Sequence, residues 1–316
     1  MKSNLDVVND CDSFPYYDAD PQAYTELVSS YYELFTQPKS KPVGYVLPWV
    51  VEKMPWDDSL WVVDHDKKQI YPKLTQSKGF DATLRKAREI GAFKVLEKWR
   101  NELYTVHREN GLDPVGDPTI TVERSGSPLF GVVTYGVHMT TYVNTQEGMK
   151  IWVPKRAKGK TYGGLFDNTV AGGIATGEQP LECIVREAAE EASFPEELVR
   201  SATKPCGTIS YFSFRDKRAG GESGLLQPEV QFVYDMEVSE DVVPKPCDDE
   251  VEDFRLWSVD EVQKAISESL FKPNCALLLL DFFIRHGILT AGNEKDYVEI
   301  VSRLHRKLPF PTATTM

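Results

Sequence analysis

Three glutamates, Glu187, Glu190 and Glu191, stand near the end of a stretch reading GGIATGEQPLECIVREAAEEASF over residues 172–194. Carboxylates gathered in this way can do two kinds of chemistry. They can hold a hard divalent cation, whose preferred ligands are oxygens and which keeps water and phosphate in its coordination shell. They can also take a proton from an attacking water. Gly172 and Gly173 close an apolar run just ahead of them, so backbone can approach the acids without a side chain in the way.

The element that must carry these acids is a helix. Pro180 suits a first helical turn and Pro195 discourages helical geometry at Phe194, which predicts a helix over about 180–192. At 100° per residue Leu181, Ile184, Val185, Ala188 and Ala192 share a core-facing side, and the three glutamates fill the adjoining arc. Acids in the last turn oppose the helix dipole at roughly 0.3–1 kcal/mol each. Glu187 and Glu191, four residues apart, repel by about 0.2–0.5 kcal/mol, and Arg186 with Glu190 returns a similar amount. The balance is unfavourable, so a cation is expected. A solvated acidic surface would tolerate the same charges through screening; the strand, glycine pair and short loop before the helix favour ligation.

Gly172, Glu178 and the run REAAEEASF together resemble the signature of the Nudix hydrolases, which cleave nucleoside and other organic diphosphates. The resemblance implies an α/β class fold, an α/β/α sandwich with a mixed sheet, here preceded by a smaller α+β domain. It implies that Glu187, Glu190 and Glu191 bind Mg²⁺ or Mn²⁺ with the Gly172 carbonyl, and that Glu178 and Arg186 brace loop and helix. One position departs: Ser193 stands where such sequences usually have Gly. If the left-handed geometry of a helix end is kept there, a side chain costs roughly 1–2 kcal/mol.

More widely, WVPKRAKGKTYGGLFDNTVAGGIATGE, GLLQPEVQFVYDMEV and the preceding domain resemble a fungal and plant Nudix group. Its N-terminal domain also occurs fused to thiamine pyrophosphokinase, and its members hydrolyse oxidised or damaged thiamine diphosphate to monophosphates. That resemblance implies a small-molecule diphosphate substrate. Within the basic run Lys155, Arg156, Lys158 and Lys160, Arg156 and Lys160 are the candidates for binding it, although surface lysines and arginines are commonly just solvated. Glu191, or Glu250 in the acidic turn CDDEVEDFRLW, is the candidate general base, Glu187 belongs to the same catalytic set, and Glu229 is a weaker candidate. Tyr45, Trp49, Trp56 and Trp61 are better read as core than as stacking platforms for a heterocycle.

The chain has 316 residues and divides by pattern into an N-terminal unit, 1–125, and a second unit, 126–316, with a turn-rich junction near 109–118. Helices are expected over 21–37, in two pieces over 81–106 meeting at Gly91, and over 259–269, 274–287 and 294–304; strands are expected over 129–144, 149–156, 168–174, 207–214, 229–238 and 252–258. A net charge of −12 disfavours a nucleic-acid surface. The N-terminus carries acids rather than the basic, apolar pattern of a targeting segment, and ALLLLDFFI (276–284) is too short for a membrane span, so a cytoplasmic protein is expected. The five scattered cysteines read as reduced and structural, which argues against zinc.

Two other readings of the chemistry stay open. A regulator could bind a diphosphate without turnover, with Ser193 as the hint. A prenyl diphosphate isomerase on the same scaffold would need an activated thiol, for which Cys183 is the nearest residue.

Overall fold

The computed structural model describes residues 1–37, 40–73, 78–108, 120–247 and 249–313; the junction near 109–118 lies outside them. The N-terminal part contains α1 (Asn4–Cys11), α2 (Pro21–Ser30), β1 (Tyr32–Leu34), β2 (Gly44–Val46), α3 (Pro48–Lys53), β3 (Trp61–Asp64), β4 (Gln69–Pro72), α4 (Lys78–Glu89), β5 (Leu103–Thr105) and β6 (Thr121–Glu123). Four of these strands form a sheet in the order β2-β1-β4-β3, and β5 pairs antiparallel with β6. The second part continues with α5 (Ser127–Phe130), β7 (Thr134–Thr145), β8 (Gly148–Arg156), β9 (Val170–Gly173), α6 (Pro180–Ala192), α7 (Glu196–Ala202), β10 (Thr203–Phe214), β11 (Leu226–Glu237), β12 (Val251–Ser258), α8 (Val259–Ser267), α9 (Pro273–Arg285) and α10 (Tyr297–Arg303).

The large sheet runs β10-β11-β7-β8-β12, with β9 laid antiparallel on β7. β11 and β7 are parallel and the other pairs are antiparallel, so the sheet is mixed. Alternation along β7 sends Val137 and Met139 into one core with Ile184 and Val185 of α6. The opposite face supplies Val233, Ile151 and Val153 to a second core with Leu277 to Leu280 and Phe282 of α9. This is the expected α/β/α sandwich with a smaller α+β portion ahead of it. The α6 core runs without a break into the N-terminal part, joining Leu34, Trp61, Phe80 and Phe130 to Val137.

Of the four N-terminal aromatics, Tyr45 and Trp61 are buried, Trp56 packs against the core, and Trp49 is 37% exposed. Trp61 donates its indole N–H to Thr83 Oγ1 at 2.8 Å, which satisfies its polar edge inside the core.

Several expectations need correction. The helix expected over 21–37 stops at Ser30, because Tyr32–Leu34 forms ladder bonds with β2 and β4 instead. The second helix expected after Gly91 is a short 3₁₀ segment, Lys94–Lys98, followed by Asn101 at φ 57° and then β5. Leu181 is 40% exposed and does not join the core face of α6. Helix α1 and helix α7 had no counterpart in the pattern reading. α1 lays Val7, Val8 and Cys11 into the α9 core, so the first residues pack on the second unit.

Candidate active site

β9 and α6 meet through Gly172. A Cβ at this residue would lie 2.2 Å from Glu187 Oε1, so only glycine lets that carboxylate rest on the strand. One residue earlier the Ala171 N–H donates to Glu191 Oε2 at 3.0 Å, anchoring the second carboxylate to the same strand. Glu190 faces outward. Glu187 and Glu191 therefore converge on the end of β9, Glu187 because Gly172 leaves it room.

Arg186 is the cation of this cluster. It forks onto Glu178 through Nε (2.8 Å) and Nη2 (3.1 Å), while Nη1 reaches Glu187 at 2.9 Å and Glu190 at 3.0 Å. Glu178 in turn accepts from the Ala175 N–H at 3.2 Å, tying the loop to the helix. This geometry exceeds the single Arg186 and Glu190 contact that helical spacing implied.

One cation does not balance the site. Burial raises the Glu187 carboxyl to about 7 despite Arg186 beside it. Glu191 is buried and pushed well above the usual carboxylate range, first by burial and then by Glu187 and Asp167. It forms no ion pair among the described residues. Crowded, mostly dehydrated carboxylates with a strong pull toward protons are a donor set that suits a hard divalent cation, which would replace those protons. The residues present therefore fit Mg²⁺ or Mn²⁺ on Glu187, Glu190, Glu191 and the Gly172 backbone.

The basic run is placed differently from a free anion trap. Arg156 pairs with buried Asp167 and donates its Nε to the Thr161 carbonyl at 2.9 Å. Lys160 pairs with Glu250 at 2.7 Å and Lys155 with Glu252 at 3.0 Å; Lys158 is exposed. Desolvation works against the Glu250 charge, yet Lys160 holds its carboxyl below the ordinary value. Glu229 accepts from the Tyr211 hydroxyl at 2.5 Å and from Gln231 Nε2 at 2.9 Å, on β11.

Behind the acids lies a polar group that pattern reading missed. Asp167 contacts Arg156 and the Cys275 thiol, and His138 Nδ1 lies 2.9 Å from Asn168 Oδ1. Ligand atoms of His138, Asp167 and Cys275 fall within 4.8 Å of one another, all buried, so a cysteine does acquire a histidine neighbour in space. Burial, with Lys272 nearby, lowers His138 to about 4 and keeps it neutral. Their separation along the chain hid the group; an Asp directly preceding an apolar strand was the available signal.

The N-terminal part also reaches the site. A Cβ on Gly173 would lie 1.9 Å from the Tyr104 hydroxyl and 3.3 Å from Arg124 Cζ. Glu102 lines a cleft of about 450 Å³ together with Ala175, Thr176, Gly177, Glu178 and Arg186. Arg124 and Glu102 carried no local motif in the sequence.

Residues 135–275 match the NUDIX domain model, and residues 33–134 match a domain of unknown function, DUF4743. An uncharacterised Saccharomyces cerevisiae protein, YJR142W, is 33% identical over 98% of this chain and 92% of its own. Two Arabidopsis thaliana proteins, Nudix hydrolase 20, chloroplastic, and Nudix hydrolase 24, chloroplastic, are 36% and 33% identical over 69% and 68% of this chain. The chain spans 55% and 56% of their respective lengths.

Proposed function

We propose that this chain, whose residues 135–275 form a NUDIX domain, hydrolyses an organic diphosphate in a divalent-cation-dependent reaction, with thiamine diphosphate derivatives, above all oxidised or damaged ones, as substrates. Water adds to one phosphorus, the P–O–P bridge breaks, and the products are the monophosphate and orthophosphate. The observation that carries the reading is the pair of proton-hungry carboxylates at the end of β9, Glu187 against Gly172 and Glu191 on the Ala171 N–H. The thiamine-type substrate rests on the sequence resemblance to the fungal and plant group.

Glu187, Glu190, Glu191 and the Gly172 backbone would hold the cation. Bound Mg²⁺ or Mn²⁺ lowers the pKa of water and offsets phosphate charge. The chain's own residues do the positioning. Arg186 fixes Glu187 and Glu190 through Nη1 and is itself fixed by Glu178. Glu191, oriented by the Ala171 N–H, is the first candidate to accept the proton of the attacking water. Glu250 is the second candidate base, at the end of the Lys160 contact.

The isomerase reading lacks support at Cys183. Its thiol is buried, donates to the Gly173 carbonyl at 3.3 Å, and is pushed up by burial and by Glu178, the reverse of an activated thiol. No helix among the described residues is long and apolar enough to cross a membrane. The cytoplasmic placement belongs to the same proposal.

Phosphate release from a panel of oxidised thiamine, thiamine, nucleoside and prenyl diphosphates, with MgCl₂, tests the reading. Glu191→Gln is expected to fold and to lose about 100-fold or more in kcat. Unchanged turnover in that variant would overturn the mechanism, and Mg²⁺-dependent binding without turnover in the parent would select the regulator.

A further inference from the structure

We infer that Arg124, from the N-terminal part of the chain, is a diphosphate-binding residue of the catalytic site, so that the smaller domain completes the site. The inference rests on the hydrolase reading for its ligand class and on separate observations for the residue.

A diphosphate brought to Glu187, Glu190 and Glu191 needs positive charge beyond a metal ion. Arg186 is shared among three carboxylates, Arg156 is tied to Asp167, and Lys160 is tied to Glu250. Arg124 is differently placed. Among the described residues its guanidinium gives one N–H, on Nη1, to Glu102 at 2.7 Å. Its side chain is 39% exposed, and the other guanidinium N–H groups have no hydrogen-bond partner among the described residues. Arginine's planar donor array matches a phosphate in two-point contact, which a lysine does not reproduce.

The placement is built. Arg124 stands at the end of β6, and its Cζ lies 5.6 Å from the Tyr104 ring centroid on the paired strand β5. The β5 strand is laid along the loop that leads into α6, with Thr176 N–H donating to the Leu103 carbonyl at 2.8 Å and Thr105 Oγ1 reaching Thr176 Oγ1 at 3.1 Å. Gly173 supplies the opening: any side chain there would strike Tyr104 and crowd Arg124. Thus two in-line glycines serve two ends of the site, Gly172 seating an acid of α6 and Gly173 seating a cation of the other domain.

Calorimetry with methylenediphosphonate, in the presence and absence of saturating MgCl₂, tests this on the full chain. For Arg124→Gln the affinity for methylenediphosphonate in MgCl₂ is expected to fall about 10- to 100-fold, the loss of one charge-assisted contact pair. Binding of Mg²⁺ alone should be as tight as in the parent or tighter, because a positive neighbour is removed. Arg124→Lys, which keeps the charge and loses the fork, should lie between the two. Parent-like affinity for the probe in either folded variant overturns the inference. So does a parallel loss of Mg²⁺ binding, which marks a structural role, or failure of the parent to bind the probe. Should the parent bind it through Arg124 yet release no phosphate from any diphosphate, the hydrolase reading fails and the assignment of Arg124 stands.

Discussion

Glu187→Gln should make the metal-free protein more stable, and only at neutral and alkaline pH. The side chain is 13% exposed, and its carboxyl sits at about 7 in the fold against an ordinary 4.5. A folded-state value above the unfolded one means that the native chain keeps a proton which the unfolded chain releases. That contribution to stability is complete below about 4.5 and is lost as pH rises through about 7. At roughly 1.4 kcal/mol per tenfold, the strain of the charged group at pH 8 is about 3 kcal/mol. Glutamine has nearly the same shape, keeps an oxygen for Arg186 Nη1, and carries no charge. At about 2 °C per kcal/mol for a chain of this size, its Tm in EDTA should exceed the parent's by roughly 5 °C at pH 8 and match it near pH 4.5. With MgCl₂ at about 100 times its Kd the parent gains roughly 2.7 kcal/mol and the order closes or reverses. Thermal denaturation of both proteins, at several pH values in EDTA and in MgCl₂, reads this as a difference, so other titrating groups cancel. A pH-independent Tm difference, or a less stable variant at pH 8 in EDTA, would refute the picture of an uncompensated buried carboxylate.

Three other outcomes follow from the geometry. Gly172→Ala should fold but lose its Mg²⁺-dependent rise in Tm, since the new Cβ would stand 2.2 Å from Glu187 Oε1 and expel that carboxylate; an unaltered rise would contradict the placement of the site. Ser193→Gly removes a left-handed side chain at φ 57°, worth roughly 1–2 kcal/mol, but also the Ser193 Oγ donation to the Lys245 carbonyl at 2.9 Å, worth about 1 kcal/mol, so urea titration should give a gain of no more than about 1 kcal/mol. Asp12→Ala should cost about 3–5 kcal/mol in the same titration, because Arg306 would be left buried with its carboxylate partner at 2.9 Å removed; a loss below about 1 kcal/mol would show that water reaches the pair.

What the sequence discloses and what it hides divide along one physical line. Helix α6 is bounded by Pro180 and by Phe194 before Pro195, and these local rules carry to the observed Pro180–Ala192. The strands of the large sheet were likewise legible from their apolar runs, although the run expected from 129 begins with α5 and reaches β7 only at Thr134. The acid cluster was legible because its members are helical neighbours. By contrast, Tyr32 to Leu34 looks helical by spacing and becomes strand β1 through partners at residues 44–46 and 69–70, which no local window contains. The same holds for α1, whose Val7 and Val8 are buried by α9 far along the chain; its Ser3 and Asp6 capping pair was the one local clue. Arg156 and Lys160 looked like a basic patch because their partners, Asp167 and Glu250, come from elsewhere. Arg124 was silent in the sequence for the mirror-image reason: its meaning comes from Gly173, on another strand.

The two ends of the chain are clasped together. Asp12, Phe14 and Pro15 receive Arg306, while Phe14 stacks on Phe212 at 4.0 Å between ring centroids and Phe310 packs against both Tyr45 and Phe212. A fragment trimmed to the family-matched residues 135–275 would forfeit both sides of this buckle at once. It would also lose nearly all of α9 and the whole of α1, baring the sheet face of Ile151, Val153 and Val233 that they cover, and it is expected to aggregate. For this protein, dissection at the apparent domain border is the wrong cut, and internal point replacements are the sound way to separate the contributions of its halves.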